Sequence, residues 1–175
     1  MASAIAALSG TMVGAEYTPI AYLGSQAVNG TNHAVLAEQT VLTGRDTTNI
    51  VILIFNEKGN DCVLVNIERV LETGAAFGGT TINATTDISD EMRAIWDKAF
   101  EDRIGAKFEP FVFLGTQTVK GTSYIFAATI ASISPDPEAT VAIVTINPMT
   151  KDVAFGELLE NRQAASLGYA FTWLA

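Results

Sequence analysis

The chain has 175 residues, of which 49% are hydrophobic, and a formal net charge of −9 at pH 7. This length suits one or two domains, each with an apolar core. The negative charge argues against nucleic acid and anionic membrane surfaces as partners, because both attract clustered Lys and Arg. No apolar run approaches the roughly 20 residues that span a bilayer, so we expect no membrane span.

The first predicted element is a short helix in the alanine-rich stretch MASAIAAL, residues 1–8. Alanine favours helix, and a helix without a charged face is typical of burial on more than one side. A frayed, partly ordered N-terminus is the alternative. The stretch has no positive residue ahead of its apolar run, so it is a poor signal peptide. We therefore expect a cytoplasmic or particle-associated protein.

Strands follow through the rest of the first half. Apolar and β-branched residues predict strands over 16–28, 31–42, 49–55 and 62–71. Asn29-Gly30 separates the first two, and Asn-Gly between apolar strands is a strong hairpin signal. The single cysteine, Cys62, cannot form an internal disulfide, and its apolar neighbours predict a buried site. Residues 78–81 are predicted as a linker.

The second half begins with a clear helix signal at residues 89–104. Ser89 is a plausible N-cap, and Asp90 and Glu91 suit the first turn. The helical spacing places a set of apolar side chains on one face, namely Met92, Ile95, Trp96, Ala99, Phe100 and Ile104. Gly105 is a natural stop. A helix with one apolar face needs a sheet or another helix to cover it.

Further strands are predicted after this helix, with turns at Lys120-Gly121 and at NPMTKD, residues 147–152. A helix followed by four or five antiparallel strands is an α+β domain, in which the helix packs across one face of the sheet. The last stretch, LGYAFTWLA, is predicted as a fifth strand. We predict this organisation for both halves.

The reason for extending it to both halves is an internal repeat. Residues 14–31 and 105–122, which are 105 − 14 = 91 positions apart, share nine of eighteen residues. The same register aligns Ile52 with Ile143 and Asn56 with Asn147. The sequence therefore predicts a tandem duplication, with repeat 1 at 1–86 and repeat 2 at 87–175.

Each repeat carries the motif Gln-x-Val-x-Gly on a predicted hairpin, as QAVNG at 26–30 and QTVKG at 117–121. A helix, a long strand, this motif in a hairpin and further antiparallel strands resemble the cystatin family, in particular its disulfide-free members, the stefins. The resemblance covers element order in each repeat, and at residue level it covers little beyond the pentapeptide. It implies two tandem cystatin-like repeats, each with one helix on a four- to five-stranded sheet.

The resemblance also implies a function, which is reversible occlusion of a papain-like cysteine protease by a blunt wedge. In that family the wedge has three parts: a glycine-containing N-terminal segment, the Gln-x-Val-x-Gly hairpin and a second hairpin. The implied binding residues are Gln26, Ala27, Val28, Asn29 and Gly30 in repeat 1, and Gly79, Gln117, Thr118, Val119, Lys120, Gly121, Pro148 and Met149 for repeat 2. We expect repeat 2 to match better, because the predicted repeat 1 helix starts at Met1 with no glycine-containing segment ahead of it. Neither second hairpin has the family's usual residues.

The sequence also bears on two other classes of function. The apolar strands and the duplicated halves also suit a non-inhibitory structural protein, such as a homo-oligomer or a component of a virion or surface array. Catalysis has little support. His33 is the only histidine, and its counterpart is Tyr124, which indicates a packing position. We predict no enzyme activity, no cofactor and no metal.

Overall fold

A computed structural model describes residues 14–42, 47–74, 79–133, 139–158 and 172–173. These residues form two compact units. Unit 1 contains the described residues up to Thr73 together with 172–173, and unit 2 contains those from Gly74 to Leu158. The predicted N-terminal helix at 1–8 lies outside the described residues.

Unit 1 is an antiparallel sheet of four long strands and one very short one. The long strands are β1 (Ala15–Val28), β2 (Gly30–Val41), β3 (Thr47–Lys58) and β4 (Asp61–Glu72). The two-residue β10 (Thr172–Trp173) pairs with β1, and the strand order is β10-β1-β2-β3-β4. Seven consecutive residues of β3, 49–55, are buried, as expected for a central strand that is covered on both faces.

Unit 2 is a five-stranded antiparallel sheet with one helix. Its elements are β5 (Thr80–Thr85), α1 (Asp90–Phe100), β6 (Ala106–Thr118), β7 (Thr122–Ser132), β8 (Ala139–Asn147) and β9 (Asp152–Glu157). The strand order follows the chain, β5-β6-β7-β8-β9. The predicted linker at 78–81 is wrong at its second half, since Thr80 and Thr81 begin β5. Threonine and isoleucine favour a pleated strand, and Ile82 pairs with Gly115.

Helix α1 forms where the sequence predicts one, although it ends four residues early. The Ser89 hydroxyl accepts a hydrogen bond from the Met92 amide, which makes Ser89 the N-cap. Trp96 is 2% exposed and packs on Phe126 and Phe100, with ring centroids 5.3 and 4.5 Å away. Ile104 lies beyond the helix and is 97% exposed. Within the described residues, no helix has the length and apolarity to cross a membrane.

Each unit has its own apolar core. In unit 1 the core is formed by side chains on one face of β1, β2 and β3, namely Tyr17, Val35, Ala37, Val51, Leu53 and Phe55. In unit 2 it lies between α1 and the sheet, and is formed by Trp96, Phe113, Phe126, Ala128, Val144 and Ile146. Five of the six unit 1 positions have a counterpart 91 residues later that is buried, for example Val35 and Phe126.

The predicted fold class is wrong. The chain is mostly β, with two antiparallel sheets and, in the part that the structure describes, one short helix. The expectation of one helix on each sheet came from transferring the organisation of the second half to the first. In unit 1 the described residues are long strands without a helix, and in unit 2 a strand, β5, precedes the helix.

The two units nevertheless repeat the same backbone irregularities at the same spacing of 91. In β1 the register against β2 shifts between Pro19 and Ala21, and again between Tyr22 and Gly24. In β6 it shifts at the corresponding places, between Pro110 and Val112 and between Phe113 and Gly115. One further hydrogen bond is repeated at the same spacing. The Leu42 amide donates to the Gly14 carbonyl oxygen, and the Ile133 amide donates to the Gly105 carbonyl oxygen. These matches support the duplication, whose boundaries stay a prediction.

Candidate functional site

The Gln-x-Val-x-Gly motif of unit 2 ends β6 and forms the turn to β7. Thr118 pairs with Thr122, so Val119, Lys120 and Gly121 form the connection. Lys120 has a φ of 48° and Gly121 a φ of 101°, which makes this a tight turn with two residues in left-handed conformations. Glycine adopts such angles readily, whereas lysine does so at a cost.

The neighbouring turn joins β8 to β9 and contains Pro148 and Met149. Asn147 pairs with Asp152, and the Lys151 amide donates to the Asn147 carbonyl oxygen at 2.8 Å. The Met149 side chain lies against the first turn, because a Cβ added to Gly121 would lie 3.0 Å from the Met149 sulfur. The absence of a side chain at Gly121 therefore lets the two turns pack together.

The amide side chain of Asn147 joins both turns. Its Nδ2 donates to the carbonyl oxygens of Val119 at 3.2 Å and Lys120 at 3.5 Å. It also donates to the Ser123 hydroxyl at 3.1 Å. Its Oδ1 accepts from the amides of Met149 and Thr150, both at 3.1 Å. Asn147 is only 7% exposed, so these bonds are largely shielded from water.

Gly79 lies at the same end of the unit 2 sheet. It immediately precedes Thr80, which pairs with Gln117 of the motif. Gly79 is exposed and has a φ of 67°, with open space where a Cβ would lie. The three predicted parts of the unit 2 wedge are thus at one end of one sheet. We call the set Gly79, 117–121 and 148–149 the hairpin end.

The surface of the hairpin end includes two exposed apolar side chains. Val119 is 45% exposed and Met149 is 75% exposed. Thr118, Lys120 and Pro148 are exposed as well, whereas Gln117 is half-buried. Exposed apolar side chains on rigid turns have no chemistry of their own, and they gain free energy when a partner covers them.

The corresponding motif in unit 1 has a different surface. Gln26 is buried, Val28 and Gly30 are half-buried, and Ala27 and Asn29 are exposed. Val28 pairs with Gly30 across a connection of one residue, Asn29. The adjacent β3–β4 turn is Gly59-Asn60, and it follows the exposed residues Glu57 and Lys58 at the end of β3. Unit 1 therefore presents a mainly polar tip, and the binding role of its motif stays a prediction.

His33 and Cys62 lie on the sheet of unit 1. Both ring nitrogens of His33 have a polar partner. Nδ1 lies 3.0 Å from the Tyr22 hydroxyl oxygen, and Nε2 lies 3.0 Å from Glu57 Oε2. The prediction of a buried Cys62 is wrong: the thiol is exposed, because β4 is the last strand of the sheet and residue 62 lies beside its turn. Among the described residues, no group of three His, Cys, Asp or Glu is placed to hold a metal ion.

Comparisons with protein-family models, with curated proteins and with solved structures found no match. The hairpin end is thus interpreted from its own residues. Sequence reasoning did not assign a role to Asn147, although the repeat alignment pairs it with Asn56. Asn56 donates to Asn32 Oδ1 at 2.8 Å, and Asn32 is the counterpart of Ser123. The available signal was an asparagine at the same repeat position near the end of β3 and at the end of β8.

Proposed function

We propose that this chain is a non-catalytic binding protein whose hairpin end occludes the active-site cleft of a papain-like cysteine protease. The observation that carries the proposal is the position of Val119 and Met149, which are exposed on two adjoining turns at one end of the unit 2 sheet. Gly79 at the same end supplies the third part that the resemblance implies. The target class rests on that resemblance.

The physical basis is burial of apolar surface by turns that are already ordered. Full burial of a valine or methionine side chain is worth about 1.5–3 kcal/mol. Val119 is 45% exposed and Met149 is 75% exposed, so covering both would contribute roughly 2–3 kcal/mol. The hydrogen bonds of Asn147 hold the turns before binding, so little conformational entropy is lost when the partner arrives.

Inhibition of papain by the whole chain tests the proposal, with Val119→Asp as the disruptive variant. A carboxylate at this exposed position would be desolvated in the cleft, and we expect at least a tenfold loss of inhibition with the fold unchanged. The matched control is Val63→Asp, which changes an exposed valine of unit 1. Equal inhibition by both variants, or none by the parent chain, would contradict the proposal.

A second proposed function is assembly through β4, the outer edge of the unit 1 sheet among the described strands. Strand β4 is the outermost strand of its sheet, and Val63 and Val65 on it are 61% and 58% exposed. An edge strand with exposed apolar residues favours pairing with another chain. Under this proposal the parent chain forms oligomers in solution, and Val63→Asp lowers the measured mass while Val119→Asp does not. A monomer at all concentrations would exclude it.

A further inference from the structure

Strands β5 and β10 occupy the same place in the two sheets. In unit 2, β5 lies beside β6, where Thr81 pairs with Thr116 and Ile82 with Gly115. In unit 1, β10 lies beside β1, where Thr172 pairs with Ser25 and Trp173 with Gly24. The two pairs correspond residue by residue at the repeat spacing of 91. On the outer strands 81 + 91 = 172, and on the receiving strands 24 + 91 = 115.

The equivalence has a consequence for how each sheet is completed. With the predicted repeat boundary between residues 86 and 87, β5 belongs to repeat 1 and pairs in unit 2, whereas β10 belongs to repeat 2 and pairs in unit 1. Each repeat therefore supplies one strand to the sheet of the other. This is reciprocal strand exchange within a single chain.

A glycine marks the receiving position in both sheets. A Cβ added to Gly115 would lie 2.1 Å from the Thr81 carbonyl oxygen, so β5 approaches closely only because residue 115 has no side chain. Gly24 holds the same position on β1 and faces Trp173 of β10. Both receiving strands thus have the residue that admits a neighbouring backbone.

We propose that the outer edge of β1 at Gly24 and Ser25 is a strand-acceptor site, and that residues 172–173 of a second copy of this chain can occupy it in place of its own. The backbone hydrogen bonds are the same whichever copy supplies the strand. Among the described residues, β10 pairs with β1 at two positions and β5 pairs with β6 at four, so fewer described ladder bonds oppose the exchange of β10. Exchange between copies would therefore link two chains through the same β1–β10 pairing that each chain makes within itself.

The test uses the full chain with both donor residues replaced, T172P/W173P, which removes the amides that a strand needs. A fluorescent peptide with the natural sequence of residues 167–175 should bind this variant with a stoichiometry of one, measured by anisotropy. A peptide carrying proline at both positions should not bind. Adding Gly24→Val to the variant should abolish binding of the natural peptide, because the valine side chain blocks the approach of the donor.

Oligomer mass tests the link between copies. In a Val63→Asp background, whose added charge disfavours contact at the β4 edge, the chain with its natural donor should form dimers on concentration. The same background with T172P/W173P should remain monomeric. A folded donor-deficient chain that ignores the natural peptide would overturn the acceptor site, and a natural chain that never dimerises would overturn the link. If the proline variant does not fold, uptake of the peptide by the natural chain in mild urea replaces it, and no uptake counts against the site.

Discussion

Replacing Asn147, which is hydrogen-bonded to both turns of the hairpin end, with alanine should destabilise unit 2. The amide group has two donor hydrogens and one acceptor oxygen with two lone pairs, so it makes about four full bonds to the partners within reach. At roughly 1 kcal/mol each, their removal sets an upper limit near 4 kcal/mol. Water can reach the turn carbonyl groups after the substitution, so we expect a loss of about 2–3 kcal/mol.

Urea unfolding followed by the fluorescence of Trp96 measures this loss. The chain has two tryptophans, and Trp173→Phe leaves only the one in unit 2. Asn56→Ala is the matched control, because Asn56 occupies the same repeat position in unit 1 and donates to Asn32 at 2.8 Å. It should lower the stability of unit 1 by about 1 kcal/mol and leave the Trp96 transition in place.

The Asn147→Ala variant also tests whether Asn147 acts by holding the two turns in position and not by contacting the partner. Without the bonds to Val119 and Met149, the two turns must be ordered when a partner binds, so affinity should fall even though neither exposed side chain has changed. An Asn147→Ala chain with the unfolding midpoint of the parent would refute the reasoning. So would an Asn56→Ala chain that shifts the Trp96 transition equally.

Two further predictions concern packing and backbone strain. Trp96→Ala should lower the free energy of unfolding by about 3–5 kcal/mol, because the ring is almost fully buried. Ile104→Ala, at a site that is 97% exposed, should change it by less than about 0.5 kcal/mol. Urea unfolding curves of the two variants measure both values. Gly30→Ala should cost about 2–3 kcal/mol, since its Cβ would lie 2.5 Å from the Glu57 carbonyl oxygen at a φ of 105°. Gly59→Ala, with a φ of 64° and open space around it, should cost about 1 kcal/mol; equal losses for both glycines would show that φ alone matters.

Local signals in the sequence predicted the individual elements well. The Ser89 cap with its apolar spacing located α1, and the Asn29-Gly30 and Lys120-Gly121 turns located two hairpins. These features depend on neighbours within a few residues, so the chain itself carries the information.

The pairing of distant segments could not be predicted in the same way. Strand β5 is short, and its first two residues fall within the predicted linker at 78–81 until its partner β6 is known. Strand β10 was predicted as a strand, but its pairing with β1 depends on contacts across almost the whole chain. The hydrogen bond from Asn147 to Val119 likewise requires two turns that are 28 residues apart in the sequence to lie side by side. Strand order and the contacts between turns are properties of the folded sheet.

The two register shifts in β1, and the two in β6, decide which residues of each strand face the core. β1 has 14 residues against 12 in β2, and β6 has 13 against 11 in β7, so each longer strand contains two extra residues. Each extra residue switches the inward-facing positions between odd and even numbers, which is why Tyr17 and Tyr22 both pack on the same core. Removing the unpaired residue of one shift, such as Ile20, would therefore leave every other residue of β1 opposite its present partner and on its present side of the sheet.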